Sequence, residues 1–254
     1  TLRSKGTIFT GNQQLATPIQ TPDNVFYSIG NPYPSAVDMT KVMATVNTKT
    51  DKLPFYYVWN ASKSDDYYNV GSWNTYVLQL NGHYQPVPDD GSGTDFLQSG
   101  QAFLIQVDQS YPTVVNFTEN DKVSQSSIIP FRGGSVAGKP VQIITNLLSL
   151  KADGTTSLTD GTLQQFDNAN NPKIDRYDAK KIMNSANNLS IKSSAANLVV
   201  ERRTLPTPQD TIQYNMANMQ AQNYRLEFQA EGLSAAGVDG FVEDTYSNTR
   251  TPLN

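Results

Sequence analysis

The chain has no cysteine and a single histidine in 254 residues, and only 17% of its residues are charged. Without thiols there is no disulfide, no thiolate metal site and no cysteine nucleophile. With one imidazole, a Ser-His-Asp triad would have to be built around His83 in HYQPVPDDG, and no G-x-S-x-G nucleophile elbow accompanies it. His83 therefore reads as a surface hairpin residue. Basic charge is scarce as well: 19 Lys and Arg against 23 Asp and Glu leave a net charge of −4 and a pI near 5.0. Such a chain offers no field to attract phosphates, which argues against nucleic-acid binding and against an anionic membrane surface. No run approaches the ~18 apolar residues of a membrane span, so no membrane insertion is expected. TLRSKGTIFT at the start has neither a basic nor an apolar leader region, and the expectation is a chain that is mature or internal to something longer.

What remains is polar without being charged. The mean hydropathy of −0.47 comes mainly from Asn, Gln, Ser and Thr, and 13 tyrosines add amphipathic surface. This composition suits an extracellular β-protein, and the lack of disulfides suits a bacterial exterior. Short segments rich in β-branched and aromatic residues recur between Gly, Pro, Asn and Asp clusters: TIFTGNQ, VFYSI, FYYVWNA, TYVLQLN, AFLIQVD and TVVNFTE. In QAFLIQVDQ the alternation predicts Phe103, Ile105 and Val107 on the core face. The texture becomes polar and Gly/Pro-punctuated over residues 120 to 140, which places a domain boundary near residue 125. PVQIITNLLSL, NLSIKSS, NLVVERRTL, TIQYNM and NYRLEFQAEG then give a second set of strands. One segment, DRYDAKKIMNSA, shows helical spacing of Ile174, Tyr177, Lys181 and Ile182.

FYSIGNPYPSAVDM, residues 26 to 39, is the most unusual stretch. Pro32 and Pro34 have fixed φ and no N–H, and they drive Asn31 and Tyr33 out of the α region, so neither ladder nor helix can run through. The segment predicts a rigid corner at the end of a core strand with Tyr33 buried as a plug. Ser35 and Asp38 approximate a capping box for a short helix that follows.

IGNPYPSAVDM, FYYVWNAS, LQSGQAFLIQVD and VNFTENDKV, in that order, resemble a module near the C-terminus of large secreted Bacteroidota proteins exported by the type IX secretion system. TDGTLQQFDN, IDRYDAKKIMN and LVVERRTLP are similar to the jelly-roll-like sandwich that follows it there. The resemblance covers nearly the whole chain. It implies an all-β fold of two β-sandwich, jelly-roll-like domains, residues 1–124 and 125–254, with one or two short helices. It further implies a cell-surface location and a non-catalytic role as stalk, adhesin segment or assembly subunit. Because GFVEDTYSNTRTPLN resembles a point where later strands of the family's sandwich are still to come, the second sandwich is expected to lack its last strands. Strand addition from another segment of a longer chain or from a neighbouring subunit would then cover the edge.

Several residue groups could carry chemistry. SDDYYNVGSWNTY places Tyr67, Tyr68, Trp73 and Tyr76 in and beside a polar loop, where exposed rings could stack on surface glycans. This gives the alternative function, a carbohydrate-binding accessory region of a secreted polysaccharide-degrading enzyme. The competing reading packs these rings, as Trp59 in the aromatic strand is expected to pack. DNANNPKIDRYD gathers Asp167, Asp175 and Asp178 among asparagines, oxygen ligands suited to calcium, although the spacing departs from an EF-hand loop. The preferred reading has Asp175 capping a helix and Asp178 bonding locally, with no cofactor. DGTTSLTDG, residues 153 to 161, reads as a hairpin turn, and Asp89, Asp90 and Asp95 read as turn formers rather than a glycosidase pair. Asp210-Thr211-Ile212 fits the O-glycosylation pattern of the proteins this chain resembles, with Thr211 as the acceptor.

Overall fold

The structure, a computed structural model, describes residues 6–16, 25–46, 53–61, 63, 70–91, 93–107, 113–123, 140–193 and 196–253. The chain divides into two compact units. The first comprises Thr1–Trp59, Tyr76–Pro86 and Gly91–Gly133, and the second Asn60–Thr75, Val87–Asp90 and Gly134–Asn254. Among the described residues the regular structure is almost entirely strand, and the all-β expectation holds.

The strands of the first half are β1 (Gln13–Ala16), β2 (Val25–Gly30), β3 (Val37–Asp38), β4 (Phe55–Asn60) and β5 (Ser72–Leu78). They continue with β6 (Tyr84–Val87), β7 (Phe96–Leu97), β8 (Ala102–Val107) and β9 (Val114–Phe117). One sheet runs in the order β2-β8-β4-β5-β6, with β1 on β9 and β3 on β7 as separate antiparallel pairs. Period-two alternation sets the core face of β8: Phe103 and Ile105 are fully buried while Leu104 and Gln106 stand half-buried on the opposite face. The side chain of Val107 lies outside the described residues. Tyr56 anchors this core, stacked on Tyr76 at 5.1 Å and edge-on to Phe103 at 5.9 Å. Trp59, expected in the core, is only half-buried. The predicted first strand TIFTGNQ starts late. Gly11 takes a left-handed φ of 72° and its N–H donates to Glu119, so pairing begins only at Gln13.

The corner after β2 is held by one amide. Asn31 Nδ2 donates to the carbonyls of Ser35, Leu97 and Gln98, its Oδ1 accepts the Tyr33 N–H at 3.0 Å, and its own N–H donates to the Gln101 carbonyl. Asparagine, with donor and acceptor on one short stem, suits this task. It folds the two prolines around Tyr33, which is 2% exposed, packs edge-on to Phe117 and donates its hydroxyl to the Gly11 carbonyl at 2.7 Å. The helix α1 (Met39–Val42) follows, but its N-cap is Asp38, whose Oδ1 accepts the Thr40 N–H at 2.9 Å. The Ser35–Asp38 capping box is therefore corrected by three residues: Asp38 is the cap, and Val37 and Asp38 are occupied by pairing with β7.

The second half contributes β10 (Val141–Leu150), β11 (Thr156–Phe166), β12 (Ala179–Lys180), β13 (Asn188–Lys192) and β14 (Asn197–Arg203). It ends with β15 (Gln213–Ala217), β16 (Asn223–Glu231), β17 (Phe241–Asp244) and β18 (Thr249–Pro252). Its main sheet has the order β15-β13-β14-β11-β10-β16, with β12 also on β14. All pairings are antiparallel except β11 with β14. The sheet is curled. Tyr214, on β15 at one end, reaches Thr145 on β10 at 2.9 Å and Gln164 on β11 at 3.2 Å, and its ring meets Phe228 on β16, at the other end, at 5.7 Å.

The helix expected over DRYDAKKIMNSA is absent. Asp175 Oδ1 accepts the Tyr177 N–H at 2.8 Å and Asp178 Oδ2 accepts the Asp175 N–H at 2.7 Å, so side chains take the donors of a single turn. Ala179 and Lys180 then pair with β14. The expected turn in DGTTSLTDG is confined to its first residues, where the Gly154 N–H closes on the Lys151 carbonyl with φ 83°. From Thr156 onward the stretch is β11.

Candidate functional site

The most chemically loaded region of the second unit begins in the middle of β11. Leu147 of β10 pairs with Asp160 and Leu148 with Leu158, which leaves Thr159 extra in a bulge. Gly161 follows where a Cβ would lie 2.9 Å from Pro88 and 3.1 Å from the Thr145 carbonyl, so only glycine fits without displacement. The bulge turns Asp160 inward, where it is completely buried beside the almost completely buried Lys181. Lys181 Nζ donates to both carboxylate oxygens, at 2.6 Å to Oδ1 and 2.5 Å to Oδ2. The same oxygens accept the Gly161 N–H at 2.9 Å and the Leu189 N–H at 2.7 Å. A buried charge pair is tolerable only with such saturation, because desolvation otherwise outweighs the Coulomb attraction.

A second buried lysine lies close in the electrostatic sense. The Lys63 side chain is 8% exposed, with Asp90 at 3.5 Å. Burial lowers its pKa, the Asp90 and Asp160 carboxylates raise it, and the Lys181 charge lowers it again. Lys63 lines a cavity of about 20 Å³ together with Ser72, Thr159, Asn184 and Asn187. That volume suits one guest the size of a water molecule. Asn184 is clamped: its N–H and carbonyl bond the side chain of Asn188, and its Oδ1 accepts the Trp73 N–H at 2.9 Å. Ser72 Oγ and Asn184 Nδ2 are buried without a hydrogen-bond partner, and with Lys63 Nζ, whose ion-pair partner is Asp90, three donors border the space. Lys63 and Ser72 make no hydrogen bond to each other, the contact a Ser-Lys nucleophile requires.

The residues singled out from the sequence are scattered. Tyr67 and Tyr68 lie outside the described residues. Trp73 is half-buried. Tyr76 is 9% exposed, with its face covered by Tyr56, and the reading of this ring as a glycan platform is corrected: it is a core residue of the first unit. Asp167 Oδ1 accepts the Ala169 N–H at 2.8 Å, and Asp175 and Asp178 close the turn already described. No group of three or more His, Asp or Glu side chains among the described residues is arranged to hold a metal ion. Thr211 is exposed, beyond a turn in which Asp210 accepts from the Thr207 N–H and hydroxyl. His83 sits at the β5–β6 hairpin with Nδ1 2.7 Å from Asp95, whose other oxygen accepts the Tyr84 N–H. The sequence hides the Asp160–Lys181 pair, because Asp160 also reads as part of a turn and Lys181 as part of a helix face. A Gly after Asp inside a β-patterned run was the available signal for a bulge.

Asp178 gives the region a pH dependence. It is 1% exposed, and burial raises its pKa to about 6 from 3.8, against the backbone N–H groups of Arg202 and Asp175, which lower it. The unfolded chain loses this proton at the lower value and the folded chain keeps it to the higher one, so stability falls as pH rises between them. The expected loss is about 2 kcal/mol between about pH 4 and about pH 7. Urea midpoints of the wild type at the two pH values should show it, and Asp178→Asn should remove that part of the difference.

A family model described as Domain of unknown function (DUF8693) matches residues 4–254, and the chain belongs to that family. No curated protein and no solved structure matches the chain.

Proposed function

We propose that this DUF8693 member is a non-catalytic structural module of a secreted bacterial surface protein, a stalk or assembly subunit that joins neighbours by strand addition. The observation that carries the reading is the open end of the curled sheet. Strand β16 is nine residues long and pairs only with β10 among the described residues, so its outer row of N–H and C=O groups faces no strand. Natural sheet edges are normally kept short, charged or covered; β16 carries Arg225, Glu227 and Glu231 but is long and has no strand over its outer side among the described residues. Here Leu226 is 37% exposed on β16, and Met216 is 40% exposed on β15, the strand at the other end of the same sheet. The two ends approach through Tyr214 and Phe228, so an extended segment of a neighbouring subunit would find hydrogen-bonding edges and apolar side chains together. The order of motifs shared with type IX secreted proteins supports the outward location, and the cysteine-free, Tyr-rich composition agrees with it.

Of the four rings named for the glycan-binding alternative, Tyr76 is buried, Trp73 is half-buried, and Tyr67 and Tyr68 lie outside the described residues. Hydrogen exchange tests the strand-addition reading. Outward amides of Asn223–Glu231 should exchange rapidly in the dilute isolated chain and be protected in protein taken from its source, with Leu226→Lys reducing the protection. Equal, rapid exchange in both preparations would sink the proposal.

A further inference from the structure

The pocket lined by Lys63, Ser72, Thr159, Asn184 and Asn187 has donors to spare and its side-chain carbonyls already engaged. Asn184 Oδ1 accepts the Trp73 N–H, which fixes the amide so that Nδ2 is the atom left over. Asn187 Oδ1 accepts the Gln220 N–H and the Tyr224 hydroxyl, and its Nδ2 donates to Gln220. The Thr159 hydroxyl donates to the Leu147 carbonyl. Left unpaired are the Ser72 hydroxyl, the Asn184 side-chain N–H groups and the Lys63 protons not turned to Asp90, all on side chains or residues at least nine-tenths buried. Charge is unbalanced here as well. Asp160 gives both its oxygens to Lys181, and Asp90, 3.5 Å from Lys63 Nζ, is itself 26% exposed. Burial pulls the Lys63 pKa down further than the two carboxylates push it up, so the ammonium lacks compensation that a neutral guest would not supply. A water molecule would also have to give away two protons, whereas an anion only accepts. The volume of about 20 Å³ favours a single-atom ion over sulfate or phosphate.

We propose that this pocket of the second unit binds one chloride ion, held by Lys63 Nζ, Ser72 Oγ and Asn184 Nδ2. Bound there, the ion ties together three stretches that are distant in sequence: Lys63 with Ser72 at the start of β5, the bulge of β11 at Thr159, and Asn184 ahead of β13. In a chain with no cysteine it serves as a non-covalent staple. Chloride binding and strand addition use different residues, and either can fail alone.

Crystals grown with sodium bromide in place of chloride, measured above the bromine absorption edge, locate the ion directly. The wild type should show one anomalous peak in the pocket, within hydrogen-bonding reach of Lys63 Nζ, Ser72 Oγ and Asn184 Nδ2, and Lys63→Met should lose it. In solution, exchanging gluconate for chloride at constant ionic strength should raise the urea midpoint of the wild type, by about 1.4 kcal/mol for each tenfold rise in chloride once the site is filled. That shift should vanish in Lys63→Met and shrink in Ser72→Ala, the milder change that keeps the test decisive should the first variant not fold. A pocket that holds water and no anomalous peak overturns the proposal, as does a chloride shift of equal size in the wild type and the variants. A bromide peak with no chloride shift in solution marks binding at crystal concentration only and overturns it too.

Discussion

Lys181→Met should cost the second unit about 3–5 kcal/mol, because it leaves the Asp160 carboxylate buried with no counter-charge. Two backbone N–H groups still reach that carboxylate, but neither neutralises it. The companion change Asp160→Asn should return part of the loss in the double variant, since the amide keeps an acceptor oxygen and carries no charge. Urea unfolding followed by a probe within β10–β16 measures both. A loss below about 1 kcal/mol for Lys181→Met would mean that this pair does not hold the bulge of β11 against β13.

The second large effect is expected at the corner. Tyr33→Ala empties a site that is 2% exposed and bordered by Phe117, and Lys122 Nζ lies 4.2 Å from the ring centroid. Truncating a buried aromatic costs about 3–5 kcal/mol, because the surroundings only partly collapse. Tyr33→Phe keeps the packing and removes the hydroxyl bond to Gly11, for about 1 kcal/mol. If the two variants lost equal stability, the hydroxyl and not the ring would be the element holding the corner.

The sequence disclosed what is local and hid what is not. Strands such as Val25–Gly30, Phe55–Asn60 and Val141–Leu150 were legible because β-branched and aromatic residues run between strong breakers. The corner was legible because two prolines leave few conformations. Asn31, which holds the corner, was not: its five partners are residues 33, 35, 97, 98 and 101, and the last three are distant in the chain. The helix assigned to DRYDAKKIMNSA failed for a related reason. Its spacing counted Lys181 as part of one face, whereas Lys181 is drawn to Asp160, 21 positions earlier, and the Asp175 and Asp178 side chains take the donors that a helix would use. Nor did aromatic content distinguish surface from core, since Tyr76 is set by its stacking on Tyr56 from another strand.

The one parallel pairing in the curled sheet sets an order of assembly. β10 and β11 can join as a hairpin as soon as both exist, but β14 can dock beside β11 only after the whole intervening segment, including β12 and β13, is available. The far side of β10 waits longer still, for β16, whose last residue is Glu231. Contacts this distant in sequence close slowly. A chain emerging residue by residue would therefore carry a half-paired β10 until about eighty positions beyond it had appeared, a long interval in which a chaperone could keep it unfolded.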